Sequence, residues 1–124
     1  MIFRPRNLLS FIEMHGFSND WSDLDLTDDD LHTLQMTIMR QPKGAPVIPG
    51  IAGLRKLRFA PAKWKTGKSG GIRVCYVYFE EYAIILLVVA YSKNEFDDLS
   101  AVEKKSIRKL IEEQAEEFAK GPFR

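Results

Sequence analysis

The run Ile72-Arg-Val-Cys-Tyr-Val-Tyr-Phe79, with Ala83-Ile-Ile-Leu-Leu-Val-Val-Ala-Tyr-Ser-Lys93 close behind it, decides the fold. Both stretches are rich in β-branched and aromatic residues, which pack well on a pleated surface and lose side-chain freedom in a helix, so both are expected to be strands. Only residues 80–82 separate them, a tight turn that makes them antiparallel neighbours. Upstream, residues 54–59 alternate strictly: Leu54, Lys56 and Arg58 fall on one side of a strand, Arg55, Leu57 and Phe59 on the other. A loop rich in Lys and Gly, residues 60–71, joins this strand to the next, and the three strands read as an antiparallel meander.

Helical signals flank the meander. Ser100-Ala-Val-Glu103 has the spacing of a capping box, in which hydroxyl and carboxylate each satisfy an otherwise unpaired backbone N–H. Ile107, Leu110, Ile111, Gln114, Ala115 and Phe118 then recur with a period near 3.6, until Gly121-Pro122 stops the helix. On the other side, Thr27 precedes Asp28, Asp29 and Asp30, which suit the positive first turn of a helix. Leu31, Leu34 and Ile38 share one face of it, and Pro42 ends it near Arg40. Ser18 is expected to cap a brief helix carrying Trp21 and Leu24, and residues 9–14 to hold a short strand. Residues 44–53, with Pro46, Pro49 and Gly50, read as an irregular connection. Helices, meander, helix is an α+β order. At 124 residues and 45% apolar the chain suits a single domain over 1–124, with residues 1–8 as an extension.

Charge and cysteine usage narrow the function classes. The single cysteine, Cys75, permits no internal disulfide and fits a reducing cytoplasm; within an apolar strand it reads as a small core residue. Charged and polar residues interrupt the N-terminus too often for a signal-peptide core, and the apolar run 83–90 is far short of the roughly 20 residues that span a bilayer, so no membrane role is expected. A net charge of +1 argues against a protein that coats nucleic acid indiscriminately. The distribution differs from the total: Arg55, Lys56, Arg58, Lys63, Lys65, Lys68 and Arg73 lie in one segment without a single Asp or Glu, whereas acidic residues crowd 20–30 and the region after Glu95. His15 and His32 join no cluster with ligand spacing, so neither a metal nor another cofactor is expected. Gly67-Lys-Ser69 resembles the tail of a phosphate-binding loop but lacks that loop's leading glycine. Gly70-Gly71 reads as a turn before it reads as a phosphate approach, and Tyr76 and Tyr78 as sheet residues before stacking platforms.

Three blocks, Ile48-Pro-Gly-Ile-Ala-Gly-Leu-Arg-Lys-Leu-Arg58, Gly67-Lys-Ser-Gly-Gly-Ile-Arg-Val74 and Tyr91-Ser-Lys-Asn-Glu95, follow one another in an order and spacing that resembles the RelE/HigB toxins of type II toxin-antitoxin systems. Asp98-Leu-Ser-Ala also resembles that family's entry into its last helix, and the likeness covers roughly residues 9–112. The chain departs from the family pattern at Gly50-Ile-Ala-Gly53, where many relatives read Gly-Thr-Gly-Gly, and at Asn94, where some carry arginine. The resemblance implies a small antiparallel sheet with two N-terminal helices on one face and a C-terminal helix. It implies an mRNA endonuclease that works in the ribosomal decoding site without a metal, and an antitoxin partner, often of the helix-turn-helix type. A binding toxin on the same scaffold, directed at gyrase as in the ParE branch or retaining only antitoxin or RNA binding, is the alternative.

Cleavage by the substrate's own 2′-hydroxyl requires a proton acceptor, cations for the charge that builds on the phosphoryl oxygens, and a proton for the leaving 5′ oxygen. Lys56, Arg58, Lys68 and Arg73 are the candidate phosphate-facing cluster, because arginine grips phosphate through two parallel hydrogen bonds and lysine adds a compact charge. Lys56, Lys68 and Tyr91 remain alternatives for the proton transfers, and Tyr91 is equally a stacking surface for a base. Arg55, Lys63, Lys65 and Lys93 are candidate RNA-binding residues around that cluster.

Overall fold

In a computed structural model of the chain, residues 8–62, 71–92 and 100–121 are described. They form β1 (Ser10–Glu13), α1 (His15–Asp23), α2 (Asp28–Arg40), β2 (Arg55–Phe59), β3 (Ile72–Phe79), a 3₁₀ turn at Glu80–Tyr82, β4 (Ile84–Ser92) and α3 (Ala101–Lys120). The strands make one sheet in the order β1-β4-β3-β2. β2, β3 and β4 are the expected antiparallel meander, whereas β1 pairs in parallel with β4, Ser10 opposite Ile84 and Glu13 opposite Leu87. The sheet is therefore mixed at its β1 edge, because a strand that leads through two helices before the meander returns to it as a crossover and not as a hairpin.

Both faces of the sheet are covered, and for that reason β3 reads as a nearly continuous apolar run. On one face, Phe59, Ile72, Val74, Tyr76 and Leu87 pack against Phe17 and Trp21 of α1 and Leu34 and Ile38 of α2. On the other, Leu54, Cys75, Val77 and Leu86 pack against Ile107 and Ile111 of α3. Phe118 closes that layer edge-on against Phe79, with ring centroids 5.0 Å apart. Leu110, placed by its spacing on the apolar face of α3, is 42% exposed. Ile107, Ile111 and Phe118 define a narrower buried stripe, and Leu110 lies beside it.

The helix starts follow local chemistry. Thr27 accepts from the Asp30 N–H while the Asp30 carboxylate accepts from the Thr27 N–H, and Ser100 and Glu103 repeat this box at α3. α1 begins at His15, earlier than Ser18 suggests. Its N-cap is Met14, which offers no capping side chain, and Ser18 lies inside the helix, donating its hydroxyl to Glu13 Oε1 at 2.8 Å. The β3–β4 register shifts between Cys75 and Tyr76, which pair with Val89 and Leu87, so Val88 is an extra residue in β4. Just beyond this bulge, the Ala90 N–H donates to Asp20 Oδ2 of α1 at 3.0 Å.

Candidate functional site

Strand register brings several of the candidate residues together. Arg58 on β2 stands opposite Arg73 on β3, and Arg73 stands opposite Tyr91 on β4, so the three form one row across three strands on the α3 side of the sheet. Lys56 lies on the same face two residues from Arg58, opposite Cys75. Burial divides their surroundings: Arg58 is exposed and Lys56 half-buried, whereas Arg73 is 9% and Tyr91 3% exposed. The Tyr91 ring belongs to the apolar layer beneath α3, and its hydroxyl oxygen is buried. Like charges directly opposite in a ladder repel. A bound phosphate, shared by two guanidinium groups, turns that repulsion into attraction.

Beside the row, Lys56 and Lys104 line a cleft of about 330 Å³ whose other wall is Pro46, Val47, Ile48 and Pro49. The 46–49 wall is held on β2 by the main chain: Ile48 N–H donates to the Leu54 carbonyl at 2.7 Å and Lys56 N–H to the Pro46 carbonyl at 3.0 Å. Lys104 was not among the sequence candidates. It sits in a helix full of charged residues, and only the docking of α3 on the sheet brings it next to Lys56.

Arg55 is not brought to this group. It points to the opposite face, where its Nη1 donates to the Ala45 carbonyl at 2.7 Å and the Lys43 carbonyl at 3.2 Å, tying the 42–46 segment to the sheet. Tyr76 works beside it, its hydroxyl donating to the Pro42 carbonyl at 2.9 Å. Burial pushes the Tyr76 hydroxyl above the usual tyrosine range, while the Arg55 guanidinium and the backbone at Ala45 act in the other direction. Tyr78 is half-buried on the same side and lines a cavity of about 420 Å³ with Pro42 and the Lys43–Glu80 ion pair, remote in the register from the Arg58–Arg73 row.

Lys63, Lys65, Lys68 and Lys93 lie outside the described residues, as do Gly70 and Asn94. Gly71 is described, and its need for glycine is packing: a Cβ there would run into the Phe59 carbonyl oxygen. Cys75 is fully buried in the α3-side core. Among the described residues, no three His, Cys, Asp or Glu side chains gather to hold a metal ion.

No protein-family model matches the chain. Among solved structures, it is similar to the crystal structure of the isolated E. coli RelE toxin, with a TM-score of 0.51 and 13% identity over 83% of this chain and 99% of that one. It is also similar to a double arginine-to-alanine variant of E. coli RelE in the free state, with a TM-score of 0.50 and 12% identity over 72% of this chain and 87% of that one. Identities this low speak for backbone architecture alone, and the architecture reaches almost the full length of the isolated toxin: this chain has the RelE-like α+β fold.

Proposed function

We propose that this protein is the toxin of a toxin-antitoxin pair, a single-domain cytoplasmic endoribonuclease that cuts mRNA on the ribosome and is silenced by its antitoxin, of the helix-turn-helix type. The observation that carries this reading is the row Arg58–Arg73–Tyr91 with Lys56 beside it on one sheet face. The fold supports it, as do the three sequence blocks from which Lys56, Arg58, Arg73 and Tyr91 come. Among the described residues no helix is long and apolar enough to cross a membrane.

In the proposed reaction the 2′-oxygen of the message forms a bond to the adjacent phosphorus as its proton is withdrawn. The P–O5′ bond breaks, the 5′ oxygen takes up a proton, and the products are a 2′,3′-cyclic phosphate and a 5′-hydroxyl. Arg58 and Arg73 hold the non-bridging oxygens and offset the charge that accumulates there, a role that one fixed donor fills to the extent of roughly 100- to 1000-fold in rate. Lys56, half-buried and next to the row, is the proton-transfer candidate within the described residues, and Lys68 the one outside them. Arg73, held in place by its burial, is the anchoring cation, and Arg58 the one that closes on substrate from the exposed side.

The test is induced expression in growing cells with mapping of mRNA 5′ ends. Translation arrest with cuts inside translated codons is expected of the parent chain, with loss of both in Arg58→Ala and Arg73→Ala. Tyr91→Phe keeps the ring's packing and isolates the hydroxyl. If both arginine variants still arrest growth and cut messages, the assignment is wrong. A DNA-damage response without mRNA cuts would replace it with the gyrase-directed reading.

A further inference from the structure

Charge is divided unevenly along the interior of α3. Lys104, Lys105, Arg108 and Lys109 occupy its N-terminal half, and Glu112, Glu113, Glu116 and Glu117 its C-terminal half. The terminal turns suit the helix dipole, with Glu103 in the first and Lys120 in the last, and the dipole's influence fades beyond them. The interior is different: Lys104 with Arg108, and Lys105 with Lys109, are like-charge neighbours one turn apart. The basic residue comes first in the Arg108–Glu112 contact at 3.2 Å, the weaker of the two orders, and the carboxylate comes first in the Glu117–Lys120 contact at 3.3 Å.

The basic half of α3 adjoins the cations of the sheet face. Lys104 shares the cleft of about 330 Å³ with Lys56, and Lys105, Arg108 and Lys109 line a second concavity of about 380 Å³ on the outer side of α3. Cations therefore continue from the Arg58–Arg73 row through Lys56 and Lys104 onto the exposed surface of the helix, where Lys105, Arg108 and Lys109 are all open to solvent.

We infer that the first half of α3 is a second RNA-binding surface, which holds the phosphate backbone of an RNA strand beyond the linkage held at the Arg58–Arg73 row. The identity of the polyanion rests on the ribonuclease reading above. RNA is favoured over an acidic protein because exposed ion pairs between proteins gain little in water, whereas phosphates gain through release of their condensed counterions even at solvent-exposed lysines. The glutamate half repels the same strand, so the backbone is confined to the first turns of the helix.

The test uses the full-length chain and a fluorescein-labelled oligouridine RNA, with binding followed by anisotropy from about 50 to about 200 mM KCl. Lys105→Gln with Lys109→Gln is the reporter variant, and Glu113→Gln with Glu116→Gln the control. The lysine double variant is expected to flatten the slope of log affinity against log salt by roughly 0.7 for each cation removed. The control is expected to bind as tightly as the parent or more tightly. An unchanged slope would overturn the inference. So would a concentration-dependent dimer in sedimentation that dissociates in the lysine variant, because an antiparallel second copy would set Lys105 against Glu116 and Lys109 against Glu112. Cellular mRNA cleavage with an unchanged slope removes this surface and leaves the ribonuclease reading, whereas a flattened slope without cleavage does the reverse.

Discussion

Arg58 faces Arg73 directly across the β2–β3 ladder. Like charges directly opposite in a ladder repel, and in the proposed ribonuclease both guanidinium groups face one phosphate. Arg58→Thr removes the repulsion and supplies a β-branched strand residue. It is expected to raise stability by about 0.2–1 kcal/mol, read as a higher urea midpoint. On the proposed ribonuclease reading, the same substitution is expected to lower mRNA cleavage by roughly 100-fold or more. A variant that is both less stable and fully active would contradict the arrangement.

Ala52 adopts a left-handed conformation, with φ of 48°, between Gly50 and Gly53, which also have positive φ. A Cβ in this region costs about 1 kcal/mol relative to glycine. Ala52→Gly is therefore expected to stabilise the protein by about that amount, with activity unchanged; thermal unfolding checks it. Ile51 beside it is buried against the α3-side core, so Ile51→Ala is expected to cost about 2–5 kcal/mol.

Gly71 abuts the backbone of Phe59 and Ala60, where β2 ends beside the start of β3. Gly71→Ala forces the two strands apart and is expected to destabilise by about 1–3 kcal/mol. Loss of activity in this variant should follow loss of folded protein, so specific activity per folded molecule, measured against circular dichroism, should stay near the parent's.

Two groups give the stability an opposite dependence at the two ends of the pH scale. The Ser100 backbone N–H, then the Ser100 hydroxyl, hold the Glu103 carboxyl below the usual glutamate range. Its contribution is present above the unfolded value and lost as pH falls through the folded one. Glu103→Ala is therefore expected to be less stable than the parent at neutral pH, with the gap closing in acid. Tyr76, raised by burial, contributes below the ordinary tyrosine value and loses that contribution as pH rises through its own. Tyr76→Phe is expected to flatten the alkaline decline. Urea midpoints across the pH range read both.

How far the sequence could be read depended on the range of the interactions involved. α2 and α3 were legible because Thr27 with Asp30, and Ser100 with Glu103, form their caps within four residues. β3 and β4 are legible because strands covered on both faces are apolar almost throughout, Arg73 being the charged exception in β3. The separation of Arg55 from Lys56 and Arg58 follows from alternation alone, although Arg55 was grouped with them as an RNA contact on the strength of its charge. α1 was misplaced at its start because Met14 caps it with no side chain at all. The parallel pairing of β1, the bulge at Val88 and the approach of Lys104 to Lys56 depend on residues far apart in the chain, and no local pattern announces them.

The parallel seat of β1 beside β4 has a consequence for the order of assembly. Ser10 to Glu13 pair with Ile84 to Leu87, and the Asp20 carboxylate waits for the Ala90 amide, so the earliest part of the chain to be made finds its partners only in one of the last. Closing so long a loop is slow compared with forming the β3–β4 hairpin, whose ends are adjacent. Neither the pairing of β1 nor the Asp20 contact can form before β4 is made, and a nascent chain that has not yet delivered β4 holds neither its completed sheet nor the full row that ends at Tyr91.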